Sequence, residues 1–290
     1  MRTLSPRVDI AFKKIFGVEE NKDLLISLIN SIVEPYDHVS DVTLMNPYNL
    51  QSFRTDKLSI MDIKAKGHDG RLFNIEIQIT DEGDYDKRAL YYWAKMYAEQ
   101  LRIGHGYDKL AKTIGIHILN FTSIIQSPQY HHRFTISDHV NNLHYFNDFE
   151  MHTIELSKFS SNNEALTELV GKIRTSLDVW MAFLTRNDLL IRDHLPPELD
   201  ESHLKKALDV LQIMNFTDEE REAYEGRAKF LGLEASALHK QHQKGKIEAQ
   251  HETAIEMLKD AEADEKIIKY SKLTQAELDA LKLSIKADLS

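Results

Sequence analysis

The chain has 290 residues, 42% of them apolar and 28% charged, which suffices for one sizeable core and a smaller appendage. It has no cysteine, which excludes disulfides, thiolate zinc sites and cysteine nucleophiles and predicts a reducing, cytoplasmic setting. Nothing at its start resembles a signal peptide, and no apolar run approaches the roughly 20 residues of a membrane span. The net charge of −10 argues against a protein that coats nucleic acid, because phosphate affinity comes from Lys and Arg, yet residues 54–112 hold 11 Lys and Arg against 10 Asp and Glu and stand out from their acidic surroundings.

Ser5-Pro6 predicts the opening of a first helix and Gly17 its end, with Val8, Phe12, Ile15 and Phe16 as the stripe that packs on a sheet. Asp9 falls in its first turn, where the helix dipole favours an acid. A second amphipathic helix is predicted over Asn21 to Ile32, with Leu24, Leu25, Leu28 and Ile32 inward, then a short strand from Val42 to Met45 broken by Asn46-Pro47.

The stretch from Lys57 to Thr80 reads as a β-hairpin. Leu58 to Lys66 is one arm, Gly67-His68-Asp69-Gly70 is turn material, and Ile75-Glu76-Ile77-Gln78-Ile79 alternates strictly, which sets Glu76 and Gln78 on one face. Two registers are open. Pairing Gly67 with Arg71 leaves a three-residue loop whose last position suits Gly70, and sets Asp62 opposite Glu76; pairing Lys66 with Arg71 sends Asp62 to the other face. In the first register two carboxylates and an amide share a patch, and carboxylates that close call for a cation between them. Mg²⁺, for which Mn²⁺ can substitute, takes one or two carboxylates plus other oxygens. Asp62, Glu76 and the backbone carbonyl of Ile77 are the candidate metal ligands, and Asp62, Glu76 and Gln78 the candidate catalytic residues for hydrolysing a phosphodiester. The competing reading is a two-sided strand whose polar face meets solvent.

A helix is predicted from Tyr85 to Arg102, with Ala89, Leu90, Trp93, Met96, Tyr97 and Leu101 on the sheet side. A neighbouring face carries Arg88, Tyr91, Tyr92, Lys95 and Arg102, of which Arg88, Tyr92 and Lys95 are the candidate DNA contacts; Arg and Lys that merely snorkel from the edge of a core helix would look the same. Ile114 to Phe121, His131 to Ile136 and His152 to Leu156 read as three further strands, giving a mixed sheet flanked by helices. The histidines at 131, 132, 139, 144 and 152 lack zinc-site spacing. Glu164 to Leu184 is predicted as one helix, and Leu195-Pro196-Pro197-Glu198 as a boundary between a first domain, 1–195, and a helical extension, 196–290. In the extension, Thr217 to Glu220 and Thr274 to Glu277 are capping boxes and a polar helix runs towards Leu258. Glu277 and Asp279 against a single Lys282 are poor chemistry for a DNA groove, so the extension is read as a homodimer or partner contact.

An aspartate on one strand followed by Glu-x-Gln on the next, Asp62 with Glu76-Ile77-Gln78, resembles the PD-(D/E)XK nuclease superfamily, in the branch called recombination-promoting nucleases or PD-(D/E)XK family transposases. The resemblance extends to Asp9–Gly17, Lys87–Lys95, Ile116–Phe121 and Ile154–Phe159. It implies a restriction-endonuclease-like α/β fold, a Mg²⁺-dependent DNA endonuclease tied to recombination or mobile elements, and Asp9 as a possible third acid. The chain departs from the wider superfamily at Gln78, which lacks the positive charge of a lysine. The alternative is a weakly active or inactive nuclease fold that works as an interaction module through its acidic helical tail. With no Gly-rich phosphate loop, no nucleotide cofactor is expected.

Overall fold

The computed structural model describes residues 4–46, 62–81, 83–161, 163–212 and 216–288. They cluster into two compact units, Met1–Lys229 and Phe230–Ser290.

In chain order the first unit holds α1 (Asp9–Phe16), α2 (Lys22–Ile32), β1 (Val42–Leu44), β2 (Asp62–Gly67), β3 (Leu72–Gln78), α3 (Tyr85–Ala98), β4 (Thr113–Leu119), β5 (His131–Asp138), β6 (Leu143–Glu155), α4 (Leu166–Val170), α5 (Ser176–Arg186) and α6 (Ser202–Leu211). The helix α7 (Asp218–Lys259) begins in this unit, and α8 (Asp264–Ser271) and α9 (Gln275–Asp288) follow in the second. The six strands form one mixed sheet in the order β1-β2-β3-β4-β6-β5. β1, β2 and β3 are antiparallel, β3, β4 and β6 are parallel, and β5 returns antiparallel to β6. The parallel step from β3 to β4 needs a crossover, and α3 supplies it. The fold is α/β, a mixed sheet flanked by helices and followed by C-terminal helices, as the sequence predicts.

Both faces of β3 and β4 are buried, which is why both strands are rich in isoleucine. α3 covers the face of Glu76 and Gln78: Tyr85 and Ala89 pack with Leu119, Phe121 and Met151, and the Trp93 indole N–H donates to the Thr113 carbonyl at 2.8 Å. The other face presents Ile63, Ile75 and Ile116 to the helical layer of α1, α2 and α5, where Phe12, Phe16, Trp180 and Phe183 meet one after another in tilted and edge-on ring contacts. Residues 196–229 cluster with the sheet: α6 buries Leu204, Ala207, Leu208 and Leu211 and packs on α1 and α2, and Glu220 of α7 pairs with Lys14 at 2.5 Å. The second unit folds around Ala254, Ile267, Leu273, Leu278 and Leu281. Among the described residues no helix is long and apolar enough to cross a membrane.

Several predicted boundaries move; β6 starts at Leu143, nine residues before the expected His152. Ser5 to Val8 form a turn, with the Ser5 hydroxyl accepting from the Arg7 amide at 3.4 Å, so α1 starts only at Asp9. α3 stops at Ala98, short of Arg102. The helix expected over 164–184 is two, because the Thr175 hydroxyl and Asp178 carboxylate cap each other's amides at 3.2 and 2.8 Å and start a new helix. Both capping boxes of the C-terminal part form, Thr217 with Glu220 and Thr274 with Glu277.

Candidate active site

The hairpin adopts the three-residue loop. The Gly67 amide donates to the Arg71 carbonyl at 2.8 Å, and Gly70 takes φ +93°, the left-handed conformation that glycine enters without steric cost. Asp69 accepts from the Arg71 amide and pairs with its guanidinium, which also reaches Asp37 at 2.8 Å, so the turn is tied to the segment before β1. The register that follows pairs Asp62 with Glu76, Ile63 with Ile75 and Lys64 with Asn74. Positions 62, 76 and 78 therefore share one face. The side chain of Asp62 lies outside the described residues.

Glu76 is buried, 4% exposed, although it is an acid. Two residues from outside the hairpin flank its carboxylate. The Arg88 guanidinium, from α3, lies 3.6 Å from Oε1, and His117 Nδ1, from the register-matched position of β4, lies 3.8 Å from Oε2. His117 Nδ1 is also 2.7 Å from the Tyr85 hydroxyl, and Tyr85 in turn carries the Arg88 guanidinium over its ring at 5.1 Å. Burial, with the added repulsion of His152 and Arg88, pulls the His117 pKa down to about 4, so the ring is neutral at pH 7 and its contact with Glu76 is not an ion pair. Arg88 brings a positive charge to this side of Glu76.

Gln78, buried at 4% exposure, donates its side-chain N–H to the Thr80 carbonyl at 3.1 Å. Its backbone carbonyl accepts from Asn120 on the β4 side at 2.9 Å, so strand alternation turns the Ile77 carbonyl to the β2 side, where the register pairs end at Asp62. A carboxylate at 76, a carboxylate at register position 62 and that carbonyl make an all-oxygen donor set, which suits a hard divalent cation. Among the described residues, no group of three or more His, Asp or Glu that could hold a metal comes together.

The remaining candidates separate. Asp9 binds Arg227 at 2.6 Å and the Ile10 amide at 2.8 Å, and its helix packs on the Ile63 side of the sheet. Lys95 is exposed and 3.8 Å from Glu99, and Tyr92 is half-buried with its ring edge-on to Tyr91 at 5.6 Å. Arg88, grouped with them in sequence, turns inward to Glu76 instead. Sequence reasoning passed over His117 and Tyr85. The available signal was a histidine inside a run of isoleucines, a polar group that a buried strand keeps only with a partner.

Residues 6–241 match the family model described as PD-(D/E)XK nuclease family transposase. The chain belongs to this family. A search of curated proteins and a search of solved structures each returned no match. Within the PD-(D/E)XK nuclease family transposases, then, this member pairs Asp62 with Glu76 across the central hairpin and carries glutamine at the third position, where its amide is turned to Thr80.

Proposed function

We propose that the chain is a metal-dependent DNA endonuclease that serves recombination or mobile elements, with Asp62, Glu76 and the Ile77 carbonyl holding Mg²⁺ or Mn²⁺. The observation that carries this reading is the Asp62–Glu76 register beside an Ile77 carbonyl turned to the same strand edge. A bound divalent cation would supply charge neutralisation at the phosphate and a more acidic water. The chain's own groups do the rest. The side-chain oxygen of Gln78 orients the attacking water, and Tyr92 and Lys95 on the outer side of α3 contact the DNA backbone. In the hydrolysis, water oxygen bonds to phosphorus and the bond to one ester oxygen breaks with its electron pair. That oxygen takes up one proton, and the other stays on the new phosphate or passes to solvent. Asp9, engaged by Arg227, serves as a third acid only if that pair opens.

In this reading residues 1–195 are the nuclease part and 196–290 the helical extension, in a cytoplasmic homodimer. The separate core at Ala254, Ile267, Leu273, Leu278 and Leu281 favours a binding role for the tail, and that role is what remains if catalysis is absent.

Calorimetric titration of the full chain with Mn²⁺ tests the metal assignment. Wild type is expected to bind, and Asp62→Ala and Glu76→Ala to lose most of the heat. Equal binding by all three would remove the hairpin from the metal site.

A further inference from the structure

Gln78 leaves the candidate site without the cation that stabilises charge on a phosphate, and an amide cannot provide one. A guanidinium is nonetheless present. Arg88 of α3 approaches Glu76 Oε1 at 3.6 Å, its side chain lies partly accessible at 27%, and the ring of Tyr85 supports it at 5.1 Å. Tyr85 is itself fixed by His117, which stands on β4 at the register position of Glu76. Arg88 is thus aimed at the carboxylate by three elements, α3, β3 and β4.

We infer that Arg88 is a catalytic residue whose guanidinium contacts the scissile phosphate and supplies the positive charge that position 78 lacks. The inference rests on the proposed endonuclease reading. Arg88 faces Glu76 at 3.6 Å; a divalent cation held by Glu76 would compete with the guanidinium for that carboxylate, and the planar fork of the guanidinium would grip a phosphate with two hydrogen bonds.

The test compares wild type, Arg88→Ala, Arg88→Lys and the relocation variant Arg88→Ala with Gln78→Lys, all as full chains with fold checked by circular dichroism. Nicking of supercoiled plasmid in Mn²⁺, duplex DNA binding in Ca²⁺ and Mn²⁺ binding by calorimetry are read for each. Arg88→Ala is expected to lower nicking about 100-fold while duplex binding falls less than about threefold, and to bind Mn²⁺ at least as tightly as wild type because a competing cation is gone. Arg88→Lys retains part of the activity, and relocation of the charge to position 78 recovers about tenfold or more over Arg88→Ala. Arg88→Ala nicking like wild type would overturn the inference and leave the endonuclease reading standing. So would loss of nicking and duplex binding in equal proportion, the mark of an ordinary backbone contact. A wild type with neither Mn²⁺ binding nor Mn²⁺-dependent nicking would overturn the endonuclease reading, and the inference with it.

Discussion

Tyr85, the first residue of α3, hydrogen-bonds to His117 in the middle of β4 with 2.7 Å between the hydroxyl and Nδ1. The pair joins the crossover helix to the buried strand beside Glu76, so the helix that carries Arg88 has a fixed height over the sheet. In the proposed mechanism Tyr85, under the Arg88 guanidinium, and His117, beside Glu76, act as positioning residues.

Tyr85→Phe keeps the ring and removes one oxygen, leaving a buried imidazole nitrogen without its partner. The expected cost is about 1–3 kcal/mol in urea unfolding, with nicking reduced on the order of tenfold by displacement of α3. A variant as stable and as active as wild type would show that the hydroxyl positions nothing.

Gly70 fixes the hairpin register through φ +93°, and a Cβ there would meet the Ala111 Cβ at an ordinary 3.6 Å. The penalty of Gly70→Val is therefore one of backbone conformation, roughly 1–2 kcal/mol. Because a one-residue slip would send position 62 to the other face, nicking is expected to fall by more than the loss of folded protein accounts for. Proportional loss of the two would separate register from function.

Gly115 lies beneath the His117 ring, where an added Cβ would come within 2.9 Å of Nε2. A ring held by Tyr85 has little room to give. Gly115→Ala is expected to destabilise by about 1–3 kcal/mol through overpacking and to lower nicking, though it alters no polar group. Thermal unfolding and nicking measured together check this, and an unchanged melting temperature would contradict it.

On the opposite face lies a second polar chain. His131 Nε2 is 2.9 Å from His152 Nδ1, and His152 Nε2 is 2.7 Å from Glu150, which also receives Lys112 at 3.0 Å and Arg133 at 2.9 Å. Burial, with His152, His132 and Arg133 nearby, lowers His131 from 6.5 to about 4. Between these values the unfolded chain binds a proton that the folded chain refuses, so stability falls as pH drops from 6.5 to about 4. Glu150 resists burial, which alone would raise it, because His152, Arg133 and Lys112 hold it at about 2 against an ordinary 4.5. Its contribution is present above pH 4.5 and is lost as pH falls towards 2. Urea midpoints are expected to decline through both windows, and His131→Asn to make the decline in the upper one shallower, where buried His117 also contributes, while leaving the lower. An unaltered slope between pH 6.5 and 4 in that variant would contradict the assignment.

The hairpin was legible because local chemistry decides it: alternation fixes the face of Glu76 and Gln78, and one left-handed glycine selects the three-residue loop. The presence of six strands was legible from their punctuation, but β6 (Leu143–Glu155) was legible only over its last few residues, because Leu143 to Met151 alternates weakly and carries no β-branched residue. Where competing local signals met, sequence reading fell short. The Ser5-Pro6 start yields to a turn closed by the Val8 amide on the Ser5 carbonyl, and the Thr175–Asp178 cap divides what helical periodicity joined. The site was legible only within the hairpin. Arg88 has the spacing of a basic surface residue, and its inward turn depends on Tyr85 and Glu76, which are neighbours only after β3 and α3 pack. His117 enters through parallel pairing across β3 and β4, a contact between residues 41 positions apart in sequence that no local pattern announces.

The most direct test of the central proposal is nicking of supercoiled plasmid by the purified full chain in Mg²⁺, in Mn²⁺ and in EDTA, with Asp62→Ala prepared alongside. The account predicts cleavage that needs the divalent cation, is faster in Mn²⁺ because Gln78 is not a lysine, and falls to background in the variant. Equal cleavage by wild type and Asp62→Ala, or cleavage that persists in EDTA, would contradict it.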